Sequence, residues 1–440
     1  MYPGFIVGLQ EKISSSVSIW LLHGGMKLMF AGVLTSTALA QSEPSGHQLD
    51  AGLDLSYIDA SGHPSWLEGS AGKLRYDSDN DGLLLSRGFV DYNYRLADTV
   101  TASINAELYL EDFSSTLDLT EAYLEWRPVP RSANRYRLKL GAFYPRISLE
   151  NTDPGWSSPY TLNSSAINTW VGEELRAYGA EISVSRRPQA LGGAHSFSLH
   201  ASMFYNNDTA GGLIAWKGWS VHDRQSRLGD KVPLPPIPLI QPGMWFSRQD
   251  PFITPILEID DTYGYYIDGE WNINNRFLLR VTHYDNRTDP FGYEDGQFAW
   301  ETGFDQIGVK ATLPGDIGLI AQWMDGYTVW GRLTDGIHAV DVGFESQFVL
   351  LTRKLDRHRI SVRYDHFEIS EKDQIPLDEN SEDGHAWTVS YRYDISQNFT
   401  LAAEWLEITS NRPAWAYFAL AEKKSEQQLQ LTLRMRFSRH

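Results

Sequence analysis

From Val100 to Glu111 the chain alternates apolar and polar residues with hardly a break. Val100, Ala102, Ile104, Ala106, Leu108 and Leu110 share one face of an extended strand, and Thr101, Ser103, Asn105, Glu107, Tyr109 and Glu111 share the other. One such strand fits any half-buried sheet. The same pattern, however, returns along the whole chain, with aromatic residues near the ends of the apolar faces and short turns alternating with long polar loops. That combination is the expected signature of a transmembrane antiparallel β-barrel with lipid outside and water inside.

Composition narrows the alternatives. Of 440 residues, 42% are hydrophobic, yet no amphipathic helix of ordinary length is legible after residue 45 and the strand pattern never pauses for a domain boundary. A single all-β domain follows. There is no cysteine, which excludes disulfides, thiolate metal sites and thiol nucleophiles. The formal net charge of −18 argues against a nucleic-acid partner.

Residues 26–40 have the three parts of a secretory signal: Lys27, an apolar run through Leu28, Met29, Phe30, Ala31, Val33 and Leu34, and the small-residue ending Ala38-Leu39-Ala40. Cleavage is expected after Ala40, leaving residues 41–440 as the barrel, with residues 1–25 an upstream extension. No later apolar run reaches the roughly 20 residues of a membrane helix, so a membrane span here must be made of strands.

About sixteen strands of roughly ten residues can be placed, with fourteen and eighteen as bounds. Short connections fall at residues 97–99, 274–276, 314–316 and 396–398, all rich in turn formers. Long ones fall at 59–82, 145–174, 206–261, 285–303, 325–339, 369–385 and 410–425. The two kinds alternate, as in outer-membrane barrels. Tyr92, Tyr94, Trp126, Tyr205, Trp271, Trp323, Trp387, Tyr391, Tyr393 and Trp405 all fall on apolar faces, where amphipathic rings suit the lipid headgroup level.

In this architecture the mature chain resembles the bacterial outer-membrane porins. The resemblance rests on the signal segment, the strand number, the loop asymmetry and a last strand carrying Leu429, Leu431, Leu433, Met435 and Phe437. It implies a Gram-negative outer-membrane channel for passive diffusion of small hydrophilic solutes or ions, set in lipid and lipopolysaccharide. It also implies docking of the barrel assembly machinery near Phe437, and a homotrimer. Porins usually end on the aromatic residue, whereas Ser438-Arg439-His440 follow here. The segment 138–150 weakly resembles the phosphate-selective porins, but its loop carries Glu150, Asp153, Glu173 and Glu174 beside Arg146 and Arg176, so phosphate selectivity does not carry over.

By the same resemblance the third external loop, 145–174, narrows the lumen. Candidate pore-lining groups are Arg95, Arg127, Arg137, Lys139, Arg434 and Arg436 against Glu107, Glu121, Glu150 and Asp153, with Trp156 on the loop. A basic wall facing an acidic loop would set a transverse field across the eyelet. Alternatively these charges pair across strands, as Glu125 and Arg137 can. Asp77, Asp79 and Asp81 match the first half of a calcium loop without its closing glutamate; Gly88 stands there, so surface calcium is the one cofactor considered. No nucleophile motif surrounds Ser198, His200 or His283, so no catalytic residue is assigned and enzyme activity is not expected. Two other functions stay open: a channel selective for anions or oligosaccharides with Trp156, Tyr160 and Trp170 lining it, and a non-conducting barrel acting as enzyme or adhesin.

Overall fold

A computed structural model describes residues 46–111, 114–186, 193–331 and 338–439. The expected signal segment lies outside them. Sixteen antiparallel strands form one closed barrel. In chain order they are β1 (His47–Ser61), β2 (Gly82–Ala97), β3 (Val100–Leu108), β4 (Leu117–Trp126), β5 (Asn134–Phe143), β6 (Ala177–Arg186), β7 (His195–Tyr205) and β8 (Gly264–Ile273). The second half comprises β9 (Phe277–Asp285), β10 (Glu301–Leu313), β11 (Ile317–Trp330), β12 (Val340–Leu355), β13 (His358–Glu371), β14 (Glu382–Asp394), β15 (Phe399–Asn411) and β16 (Lys423–Arg439). Each strand pairs with its neighbours in sequence, and β1 closes on β16 from Leu49↔Arg439 to Ser61↔Gln427.

Turn chemistry fixes the register at the short-turn end. Asn274 and Asn275 both adopt positive φ, and the Arg276 amide donates to the Ile273 carbonyl at 2.9 Å, closing the tight hairpin between β8 and β9. Gly315 and Asp316 do the same between β10 and β11.

Because the side-chain period is two, register decides everything about the two faces. Leu124, Leu140, Ile182, Leu199, Ile307, Leu351, Val389, Leu401 and Leu431 are all exposed on the outside. A water-soluble sheet would bury such a belt; here it covers the barrel wall. Tyr94, Trp126, Trp271, Tyr393 and Phe399 border the belt near the short turns, and Tyr178, Tyr205 and Tyr265 border it near the long loops. At the second border, outward His283, Asp305, Asp325, Glu345 and Glu368 stand directly opposite one another on five consecutive strands.

The inside departs from expectation in one respect. The lumen wall is polar toward the short turns but aromatic and aliphatic toward the long loops, where Tyr266, Tyr284, Phe304, Phe344, Phe348, Phe367 and Ile369 join a single hydrophobic core. The core includes Trp66, Trp170, Trp216 and Trp219 from the long loops. Those inward rings are therefore dry, and loop side chains rather than water surround them.

The outer belt predicts that Ile182→Arg, between Leu138 and Ala201 on the neighbouring strands, destabilises the barrel by about 2–4 kcal/mol. Urea unfolding in lipid vesicles measures this. A change within about 0.5 kcal/mol, usual for a water-facing surface position, would contradict a lipid-facing belt.

Candidate functional site

The loop between β5 and β6, residues 144–176, is held to the wall on many sides. Glu150, wholly buried, meets Arg363 of β13 at 2.6 Å, and Arg363 also grips Asp365 at 2.8 Å. The same guanidinium donates to the carbonyls of Asn163 and Ser164, each at 2.8 Å. Asp365 accepts from the Ala166 amide at 3.0 Å, and Glu404 of β15 accepts from the amides of Leu162 and Asn163 at 2.5 and 2.9 Å. Gln322 of β11 takes the Leu149 amide at 2.8 Å. On the opposite side the Gly155 amide donates to Asp91 of β2 at 2.8 Å, and its carbonyl accepts from Arg87. Gly155 has a φ of 67°, and a Cβ there would lie 2.6 Å from the Phe89 ring. Only glycine allows this close approach.

Within the loop, Ser165 caps helix α1 (Ala166–Glu174) by accepting from the Asn168 amide. Every residue of this helix is buried. Trp170 packs edge-on against Phe304 at 5.5 Å and near Phe344 at 5.1 Å.

The loop between β7 and β8 packs onto α1 through the acidic end of that helix. Glu174 accepts from the amides of Leu213 and Gly211 at 2.8 and 3.2 Å, which belong to or precede the short helix α2 (Gly212–Trp216). Glu173 pairs with Lys217 and lies 2.9 Å from His222 Nε2. Arg412 and Lys73 converge on Glu382 at 3.2 and 2.6 Å, and Glu382 accepts from the Trp219 amide at 3.1 Å. Three loops are thus joined to the wall by buried charges. Burial would raise the Glu173 carboxyl, but the Lys217 ammonium and the His222 ring beside it outweigh that and hold it at about 2. Burial keeps His222 below its ordinary value.

Toward the short turns the loop ends at Tyr160, and the wall there is cationic. Lys354, Arg359 and Arg392, inward on β12, β13 and β14, face one another directly across the sheet. Among the described residues, no carboxylate lies within 4.0 Å of Arg276, Lys310, Arg359 or Arg392, while Lys354 pairs with Asp394 at 3.0 Å. Arg392 donates to the Pro159 carbonyl at 2.5 Å. Lys310 and Arg359 each lie 5.3 Å from the centre of the Tyr160 ring.

No protein-family model matches the chain, and no curated protein does either. Solved structures do. The outer membrane channel DcaP of Acinetobacter baumannii superposes with a TM-score of 0.50 at 12% identity, over 90% of this chain and 99% of that one. The fold is porin-like. OmpF of Salmonella typhi gives a TM-score of 0.49 at 10% identity over 90% of this chain and 99% of its own. The anion-selective porin of Comamonas acidovorans gives 0.47 at 12% identity, covering 89% and 98%.

In this porin-like barrel the residues singled out from sequence take several places. Glu150 and Asp153 both touch the wall, Asp153 through Arg436 at 3.1 Å. Arg434 is bound to Asp54 at 2.7 Å across the closing seam, and Glu107 to Arg87 at 2.5 Å. Arg137 bridges Glu125 at 3.6 Å and Glu181 at 2.7 Å. Lys139 sits over the Tyr123 ring at 4.3 Å. Glu121 accepts from Asn105 at 2.5 Å and from the Tyr144 amide at 2.9 Å. Arg127 lies against Glu125 at 2.5 Å and is largely exposed, and Arg95 is exposed near the short-turn end. Trp156 stacks on Tyr144 at 4.3 Å, Trp170 is in the core, and Tyr160 borders a cavity. Asp77 is buried and accepts from the amides of Ser65 and Asp79 at 2.5 and 2.8 Å, while Asp79 and Asp81 are exposed. Ser183, not Ser198, is the partner of His200, at 2.7 Å.

Arg363, Asp365, Glu404 and Gln322 were not anticipated as loop anchors. A signal for a filled upper lumen does exist in Phe348-Val349-Leu350-Leu351, which is apolar on both faces.

The Glu173 carboxyl sits below its ordinary 4.5, so its stabilisation is fully present above that pH and is lost as pH falls toward about 2. Pepsin cleavage within residues 144–176 and 206–263 should therefore rise between pH 4.5 and 2 in the wild type. Glu173→Gln should flatten this dependence, and identical profiles would contradict the assignment.

Proposed function

We propose that this protein is an outer-membrane channel for small hydrophilic solutes or ions, with the β5–β6 loop as its constriction and the β7–β8 loop as a lid packed on that loop. What carries the reading is the pairing of two surfaces: an apolar, aromatic-bordered exterior suited to lipid, and a wall toward the short turns rich in charge. The long-loop end then faces outward from the cell and the short turns face the periplasm. In this reading the outward carboxylate row from Asp305 to Glu368 would bind the divalent cations that bridge lipopolysaccharide.

Conduction requires the packed loops to yield. Their anchors are buried ion pairs, which hold one geometry firmly while adding little net stability compared with apolar packing. Removing one partner leaves the other charge buried and alone, at about 3–5 kcal/mol. The unpaired cations at Tyr160 favour a preference for anions, since a pore wall of one sign concentrates counter-ions.

Planar-bilayer recording of the purified chain in potassium chloride tests both statements. The wild type should show small or infrequent steps, with a reversal potential of the anion-selective sign under a salt gradient. Arg363→Met should free the loop and raise the conductance or open time several-fold. A folded, inserted barrel that gives no steps in either form would overturn the channel reading and leave an enzyme or adhesin.

A further inference from the structure

The lumen holds a cavity of about 320 Å³ bordered by Tyr160, Leu278, Ile320, Lys310, Arg359 and Lys354, and reaching the short turns at Arg276 and Asp316. Its volume lies at the lower end of the range for small-molecule sites. We propose that this cavity binds a small aromatic carboxylate, which is the solute class the channel handles; the proposal rests on the channel reading above.

Arg276, Lys310, Arg359 and Lys354 border the cavity, and only Lys354 has a carboxylate partner within 4.0 Å among the described residues. Among the described residues, Asp316, in the β10–β11 turn, is the one acidic side chain on the cavity border. Arg359 stands directly opposite both Lys354 and Arg392, and like charges so placed repel. An anion beside Arg359 would relieve that repulsion and accept charge-assisted hydrogen bonds from guanidinium and ammonium.

Shape then restricts the anion. Lys310 neighbours Leu278 on one side and Ile320 on the other in the sheet, and both of these point into the lumen with it. With the Tyr160 ring, 5.3 Å from both Lys310 and Arg359, they make an apolar surface beside the charge. Inorganic phosphate would leave that surface unused. A ring bearing one carboxylate fills both parts: its carboxylate lies between Lys310 and Arg359, and its face lies against Tyr160, Leu278 and Ile320.

The test is a titration of the detergent-solubilised full chain with benzoate, followed by saturation-transfer NMR, with acetate, benzamide and inorganic phosphate as comparison probes. Benzoate should bind at least tenfold more tightly than each of the three. Lys310→Gln and Arg359→Gln should each weaken benzoate binding at least fivefold. Tyr160→Ser should bring benzoate down to the level of acetate, and Tyr160→Phe should leave it unchanged. Each variant is first checked for a folded barrel by its heat-modifiable migration on gels. Benzamide binding as well as benzoate would remove the cationic half of the proposal, and acetate or phosphate matching benzoate would remove the aromatic half. Potassium chloride conductance is recorded separately: steps without benzoate discrimination overturn this site alone, and benzoate binding without steps overturns the channel reading alone.

Discussion

The seam between the first and last strands is what the rest of the structure depends on. In hydrocarbon an unpaired backbone amide or carbonyl costs several kcal/mol, so a sheet with free edges cannot sit there. Residues Leu49 to Ser61 meet Gln427 to Arg439 in unbroken register, and the row of edge groups disappears. Arg434 and Asp54 clasp the same seam from inside with bonds of 2.7 to 3.0 Å. Once the seam is made, alternation sends Ala51, Leu53 and Leu55 outward beside Leu433, Met435 and Phe437.

A barrel of sixteen strands encloses more space than wall side chains can fill. Here the long loops fill its outer part, and they do so with two kinds of contact. Tryptophan and phenylalanine rings supply the buried area, while Arg363, Glu404, Asp365 and Glu382 fix where each loop segment sits. In the lower lumen Arg392 and Arg359 are left with neutral acceptors, the Pro159 carbonyl and the Thr352 hydroxyl. A dry upper half and a charged lower half follow from the same strands, because inward positions change from Phe348 and Phe344 to Thr352 and Lys354 along β12.

Strands, faces and loop lengths were legible in the sequence because they depend on local period. Sixteen strands, the outward set from Tyr92 to Trp405, and the Glu125–Arg137 pair are all read from residues close in sequence or on adjacent strands. Loop docking was not legible. Glu150 and Arg363 are 213 positions apart, and no periodicity links them. Arg434 illustrates the same limit: its inward direction was evident from alternation, but its commitment to Asp54 depends on which strand closes the barrel. The inward rings of Phe304 and Phe344 are accounted for only by Trp170, which packs against both.

The central claim is that one face of each strand meets lipid. Because the chain has no cysteine, single cysteines can carry spin labels without background. Labels at Leu351 and Val389, compared with the inward neighbours Thr352 and Thr388, should show relaxation by lipid-dissolved oxygen and protection from a water-soluble nickel chelate in vesicles. Equal access of the chelate to Leu351 and Val389 would contradict the account.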